Sequence, residues 1–146
     1  MKKRDYIFFV NILFPLCLGT ILYLWIKPNA WCSNAIYRLL HIEKQTAFDE
    51  NSIPIVGYFI KHQLCDILFA YSMTIALFFS MEKQKYGVDI ACILAATFET
   101  ALELAQLCGF PGNFDSYDIL AEVMVTVAIY LCLKIRNKTK RRKTKA

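Results

Sequence analysis

Residues Tyr6 to Ile26 form an apolar run of 21 residues interrupted only by Asn11 and Thr20. At a rise of 1.5 Å per helical residue, such a run covers about 30 Å, the hydrocarbon thickness of a bilayer. Backbone amides have no water to bind at that depth, so a segment placed there must close its hydrogen bonds internally as a helix. This constrains the fold class before any other feature is read. Three further apolar stretches follow, at about Tyr58 to Ser80, Val88 to Leu107 and Ser116 to Leu133. A chain of 146 residues with 57% hydrophobic residues in such blocks is predicted to be one all-α unit, an integral membrane four-helix bundle.

Residues 1–5 then form a short N-terminal segment, 6–133 a single membrane domain and 134–146 a basic tail. Lys2, Lys3 and Arg4 ahead of the first run also suit a signal peptide, but no small-residue cleavage site follows, so an uncleaved anchor is expected. Pro15 predicts a kink in it. The polar stretch Lys27 to Ser52 holds a possible amphipathic helix at Trp31 to His41, placing Trp31, Ile36, Tyr37, Leu39 and Leu40 at the membrane surface.

Charge sets the orientation. Eight of the 17 Lys and Arg residues lie in Lys134 to Ala146, leaving nine basic against twelve acidic residues before it. Three basic residues precede the first run, Lys83 and Lys85 lie in the Met81 to Gly87 connection, and the turn at Cys108 to Asp115 has none. Under the positive-inside rule these facts predict cytoplasmic termini and four spans. A basic tail after an apolar helix suits anionic headgroups, and no basic helix face interleaved with aromatics points to nucleic acid. The six cysteines show no zinc or disulfide spacing and read as small hydrophobes.

The informative feature is the acids inside the apolar segments. A carboxylate in a spanning helix costs about 2.5–3.5 kcal/mol on insertion scales. Glu99, Glu103 and Gln106 are spaced i, i+4, i+7 on one face, while His62 with Asp66 and Asp118 with Glu122 are i, i+4 pairs. The topology puts Lys61, His62, Asp66, Glu103, Gln106, Asp115, Asp118 and Glu122 in the outer half and Glu99 near mid-membrane. Three polar stripes at matching depth are satisfied most simply by facing one another around an outward-facing acidic pocket. The same groups can also act as interhelical glue. Their surplus of negative charge invites protons or a divalent cation, and no other cofactor is indicated. That leaves open a metal-dependent enzyme acting on a lipid headgroup, or a subunit of a proton- or cation-coupled transporter centred on Glu99.

Glu103-x-x-Gln106, followed by Phe114-Asp115-x-x-Asp118, resembles the VanZ-like family of small bacterial multi-spanning membrane proteins. The similarity covers roughly Ile53 to Leu133 and includes Asp66-x-Leu68-x-Ala70-Tyr71-Ser72. The chain departs from the family pattern in carrying Glu122 and Val125 where Asn and Gly often follow, and in lacking Asp-Lys-x-x-His around Asp66. The resemblance implies a multi-pass protein of the bacterial cytoplasmic membrane. It also implies a cell-envelope role linked to resistance to teicoplanin-type glycopeptides, with a cell-wall precursor or glycopeptide as the partner at the pocket.

Overall fold

The computed structural model describes residues 3–41, 43, 63–112 and 114–143. Residues 42 and 44–62 lie outside the described residues, and with them Lys61, His62 and the expected start of the second apolar segment at about Tyr58. Among the described residues the fold is all-α, with no strand. Helix α1 begins at Lys3–Phe8, passes through a wider turn at Phe9–Leu13 and continues over Phe14–Ile26; α2 is Trp31–Leu40, α3 Cys65–Met81, α4 Gly87–Leu107 and α5 Ser116–Lys143.

The wide turn in α1 is the local answer to Pro15. Proline has no N–H to give the carbonyl four residues back, and its ring crowds that carbonyl. The backbone accommodates it by lengthening the ladder, so that the Phe14 N–H bonds the Phe9 carbonyl, five residues earlier. A π-type turn thus stands directly ahead of the proline at which a kink is expected. Asn11 sits in this turn, donates to the Ile7 carbonyl at 2.9 Å and accepts the Tyr71 hydroxyl of α3 at 2.9 Å. Ahead of Pro28, α1 stops at Lys27, whose φ of −114° and ψ of 56° leave the helical region while its N–H still bonds Tyr23. After one turn, α2 folds back: Tyr37 donates its hydroxyl to the Leu24 carbonyl at 2.8 Å, and Ser33 is fully buried one turn earlier. Leu39 and Leu40 remain exposed. His41 ends the helix in the left-handed region at φ 53°.

Helix α3 is the hub, packing on α1, α4 and α5, and α4 packs on α5. The core is therefore a three-helix unit with α1 laid chiefly against α3. Small residues allow the close approaches. A Cβ on Gly19 of α1 would stand 3.2 Å from Leu68 Cβ, and Ala91 and Ala95 of α4 are fully buried. Gly87 opens α4 against the Met81 carbonyl, where a Cβ would come within 2.0 Å. At the other end of α4 the chain turns through Gly109 at φ 90° and Gly112 at φ 145°, conformations that favour glycine. The predicted turn at Cys108 to Asp115 lies here.

Helix α5 runs ten residues beyond Leu133, the expected end of the fourth apolar segment. Its continuation is rich in Lys and Arg, good helix formers, so the basic tail begins as helix. At its start Lys134 pairs with Asp89 of α4 at 2.8 Å, and Tyr130 donates to the same carboxylate at 3.1 Å.

Polarity is unusually distributed. Among the described residues the buried set holds nine polar or charged side chains beside eleven apolar ones, while Phe14, Ile21, Ile93, Phe98, Leu120, Met124 and Leu131 are exposed. Tyr6–Ile26 is the one helix among the described residues that is long and apolar enough to cross a membrane by length and composition. A membrane anchor, a signal sequence near an N-terminus and the core helix of a soluble protein all share these properties, and only 17% of this helix's apolar window is buried. Helix α3 is apolar but has only 17 residues.

Candidate functional site

Helices α4 and α5 each carry one continuous inward stripe: Val88, Cys92, Ala95, Glu99 and Glu103 on α4, and Asp118, Glu122, Thr126, Ile129 and Leu133 on α5. The steps of three and four keep each set on one face. Both stripes change chemistry partway along, and because the helices run in opposite directions the polar parts meet at the Leu107–Ser116 end. At the Met81–Gly87 end, Val88, Cys92, Ile129 and Leu133 form an apolar cluster with Tyr71, Ile75, Phe78, Val125 and Tyr130 packed around it.

The polar part is layered. At its Ser116 end the Gln63 side chain donates to Asp118 Oδ1 at 2.9 Å. One layer deeper, Asp66 of α3 and Glu103 of α4 lie within electrostatic reach of each other and of Asp118. Gln106 donates to Glu103 Oε1 at 2.9 Å and packs against the backbone of Gly112, where a Cβ would stand 2.6 Å from its carboxamide carbon. Glu122 lies within electrostatic reach of Glu99, Asp66, Glu103 and Asp118 together. Deepest, Thr126 donates to Glu99 Oε2 at 3.4 Å and shares a 3.3 Å contact with Thr74, whose hydroxyl also bonds the Ala70 carbonyl at 2.8 Å. From Asp118 to Thr126 the polar zone is about 12 Å deep.

Burial and pairing do not match in this zone. Glu99, Glu103, Asp118 and Glu122 are only 5–9% exposed. Yet Asp66 Oδ2, Glu99 Oε1, Glu103 Oε2, Gln106 Oε1 and Glu122 Oε2 are buried with no hydrogen-bond partner among the described residues. Buried acceptors are ordinarily paired, because an unpaired one costs about 1–3 kcal/mol. Five in one cluster mark a region not optimised for stability.

Asp66, Glu99, Glu103, Gln106, Asp118 and Glu122 are thus brought together. Asp115 stands beside them with a different task. Its carboxylate accepts the Tyr117 N–H at 2.9 Å and caps α5, while its backbone amide approaches Glu103. Lys61 and His62 lie outside the described residues. Four members were not anticipated as site residues. Thr74 and Thr126 continue the stripes of Asp66 and Glu122 at i+8 and i+4, so helical periodicity would have found them. Gln63 precedes Asp66 by three. Lys27, at the end of α1, has no periodic signal, yet among the described residues it is the cation acting on Asp66 and Glu103, and its Nζ stands 5.7 Å from the Tyr23 ring centroid.

Among the described residues no three His, Cys, Asp or Glu side chains converge closely enough to hold a metal ion. Comparison with family models, with characterised proteins and with solved structures found no match to this chain.

Proposed function

We propose that the chain is a VanZ-like protein of the bacterial envelope, in which α1, α3, α4 and α5 cross the cytoplasmic membrane with both termini inside. The acid cluster opens outward and binds a surface component, such as a lipid-linked cell-wall precursor or a glycopeptide, so that the protein alters tolerance to teicoplanin-type glycopeptides. Support for the multi-pass reading comes from the distribution of polarity: large apolar side chains cover the outside of the bundle while carboxylates are buried within it. That is the reverse of the arrangement water imposes.

The site reading rests on one observation, the unpartnered buried oxygens contributed to a single cluster by all three core helices. A cluster serving only as glue would pair its acceptors. The apolar layer of Val88, Cys92, Ile129 and Leu133 beneath it favours a blind site over a through-path for ions.

The test is glycopeptide susceptibility in a Gram-positive host expressing wild type or Glu103→Gln/Asp118→Asn at equal membrane level. Raised teicoplanin tolerance with wild type alone is expected. Equal tolerance with both proteins would refute a role for the cluster, and no change with either would refute the resistance role.

A further inference from the structure

The unpartnered groups of the cluster are all acceptors, which indicates the kind of ligand that would complete it. Glu99, Glu103 and Glu122 are each more than nine-tenths buried and each leaves one carboxylate oxygen unpaired; Gln106 adds a carboxamide oxygen and Asp66 a further carboxylate oxygen. The complement must bring hydrogen-bond donors and positive charge. A divalent metal would bring the charge, but it needs several oxygens within about 2.0–2.6 Å of one point. Glu99 and Glu103 are one helical turn apart, a rise of about 6 Å, and no three acids converge among the described residues. A protonated primary amine presents three N–H donors over hydrogen-bond distances near 2.8 Å, and so spans acceptors that a metal cannot gather.

The chain already places such a group nearby. Lys27 acts electrostatically on Asp66, Cys65 and Glu103. Its Nζ makes no ion pair with a described acid and rests 5.7 Å from the Tyr23 ring centroid, a loose cation–π position. It lies on the segment between α1 and α2, which Tyr37 holds to Leu24 at 2.8 Å. The ammonium is therefore within electrostatic reach of the cluster without being committed to any one carboxylate.

We infer that the acid cluster receives a protonated primary amine carried by a ligand, and that Lys27 is the chain's own competitor for that position. This rests on the reading of the cluster as a binding site. Binding seats the ligand's ammonium among Asp66, Glu103 and Glu122, with the Gln106 carbonyl as an additional acceptor, and the Lys27 side chain moves away. Two sources carry this chemistry at the outer surface of a cell: an aminolipid headgroup and the side-chain amine of a cell-wall peptide.

The experiment uses the full chain in nanodiscs of phosphatidylcholine and phosphatidylglycerol, which offer no primary amine. Ethanolamine, choline and magnesium chloride are titrated at matched ionic strength, with the thermal unfolding midpoint as readout. Ethanolamine is expected to raise the midpoint saturably, whereas choline, which has no N–H, and Mg²⁺ leave it unchanged. Lys27→Met removes the competing charge and should tighten ethanolamine binding by about tenfold or more, and Lys27→Arg should remain close to wild type. Asp66→Asn/Glu103→Gln should abolish the shift.

Equal responses to choline or Mg²⁺, or unchanged or weaker binding in Lys27→Met, would overturn the inference. If ethanolamine fails on every variant while Glu103→Gln/Asp118→Asn still removes the cellular phenotype, the amine is refuted and the binding-site reading stands. If both fail, both fall. The source is read by competition: phosphatidylethanolamine doped into the disc, or a soluble acetyl-lysyl-D-alanyl-D-alanine peptide, displaces ethanolamine.

Discussion

If the buried acids are kept for a ligand, removing one should stabilise the fold. Glu122 is the most informative choice, because it lies within reach of four other carboxylates and its Oε2 is buried without a partner. Glu122→Met keeps the length of the side chain, removes the orphaned acceptor and relieves its crowding against the other acids. An unpaired buried acceptor costs about 1–3 kcal/mol, and replacing buried ionic groups by apolar ones of similar volume is often neutral or stabilising by about 1–4 kcal/mol. A net gain of about 1–3 kcal/mol is therefore expected. At roughly 3–5 °C per kcal/mol for a chain of this size, that is a visible rise in the unfolding midpoint. The assay is far-UV circular dichroism of the protein in nanodiscs on heating, with Thr126→Val measured alongside. Thr126→Val should act the other way: it takes the hydroxyl from Glu99 Oε2 and costs about 0.5–1.5 kcal/mol. A loss of more than about 1 kcal/mol in Glu122→Met would refute the reasoning, since it would mean that the carboxyl is a structural partner whose removal breaks the bundle.

Further outcomes follow from the packing. Gly19→Leu pushes α1 off Leu68, where even an added Cβ would stand only 3.2 Å from the Leu68 Cβ, and should cost about 1–3 kcal/mol by the same melting assay. Tyr71→Phe removes the only hydrogen bond between α1 and α3 that the described residues show and should cost about 0.5–1.5 kcal/mol in chemical denaturation. For the topology, two single-cysteine proteins are compared in intact cells with a membrane-impermeant maleimide: one retains Cys108, which is exposed beside the acid cluster, and the other carries Lys138→Cys in the basic part of α5. Labelling at position 108 alone is expected; labelling at 138 alone would invert the bundle and place the cluster in the cytoplasm.

How much of this was readable in the sequence depends on whether the information is local. The inward stripes were legible, because Glu99, Glu103 and Gln106, and Asp118 and Glu122, stand at helical spacings that no tertiary context can move to another face. Hydropathy put an apolar segment over each of the four long helices, but the expected start of the second at Tyr58 lies outside the described residues, and α5 runs past the expected end at Leu133 because a helix does not stop where apolar residues do. The long-range partners were not legible. Gln63 meets Asp118 across 55 positions, and Tyr71 meets Asn11 across 60, through packing that no periodicity encodes. Nor did the sequence separate Asp115 from its neighbours: a carboxylate one residue before a helix serves as a cap, and its motif partner Asp118 reaches the cluster only because it lies three positions further along. Nor did the sequence show that Gly19 docks α1 chiefly on α3 while α3, α4 and α5 make the core.

The division of the bundle into two chemically different ends makes the cluster experimentally separable from the fold. Cohesion is concentrated at the Met81–Gly87 end, where Val88, Cys92, Ile129 and Leu133 pack with the side chains around them, and where Tyr130 and Lys134 tie α5 to Asp89. The acids lie about two helical turns from that layer and contribute unpaired oxygens to the interior. Substitutions such as Glu103→Gln therefore change the charge of a region whose cross-helix ties are the Gln63–Asp118, Thr126–Glu99 and Thr74–Thr126 contacts, and each carboxamide still offers an acceptor to Gln106 or Gln63. A loss of function in those variants, at unchanged unfolding midpoint, would report on what the cluster binds. If the same variants unfolded the chain, the polar end would be part of its cohesion, and the acids would have to be assigned to packing.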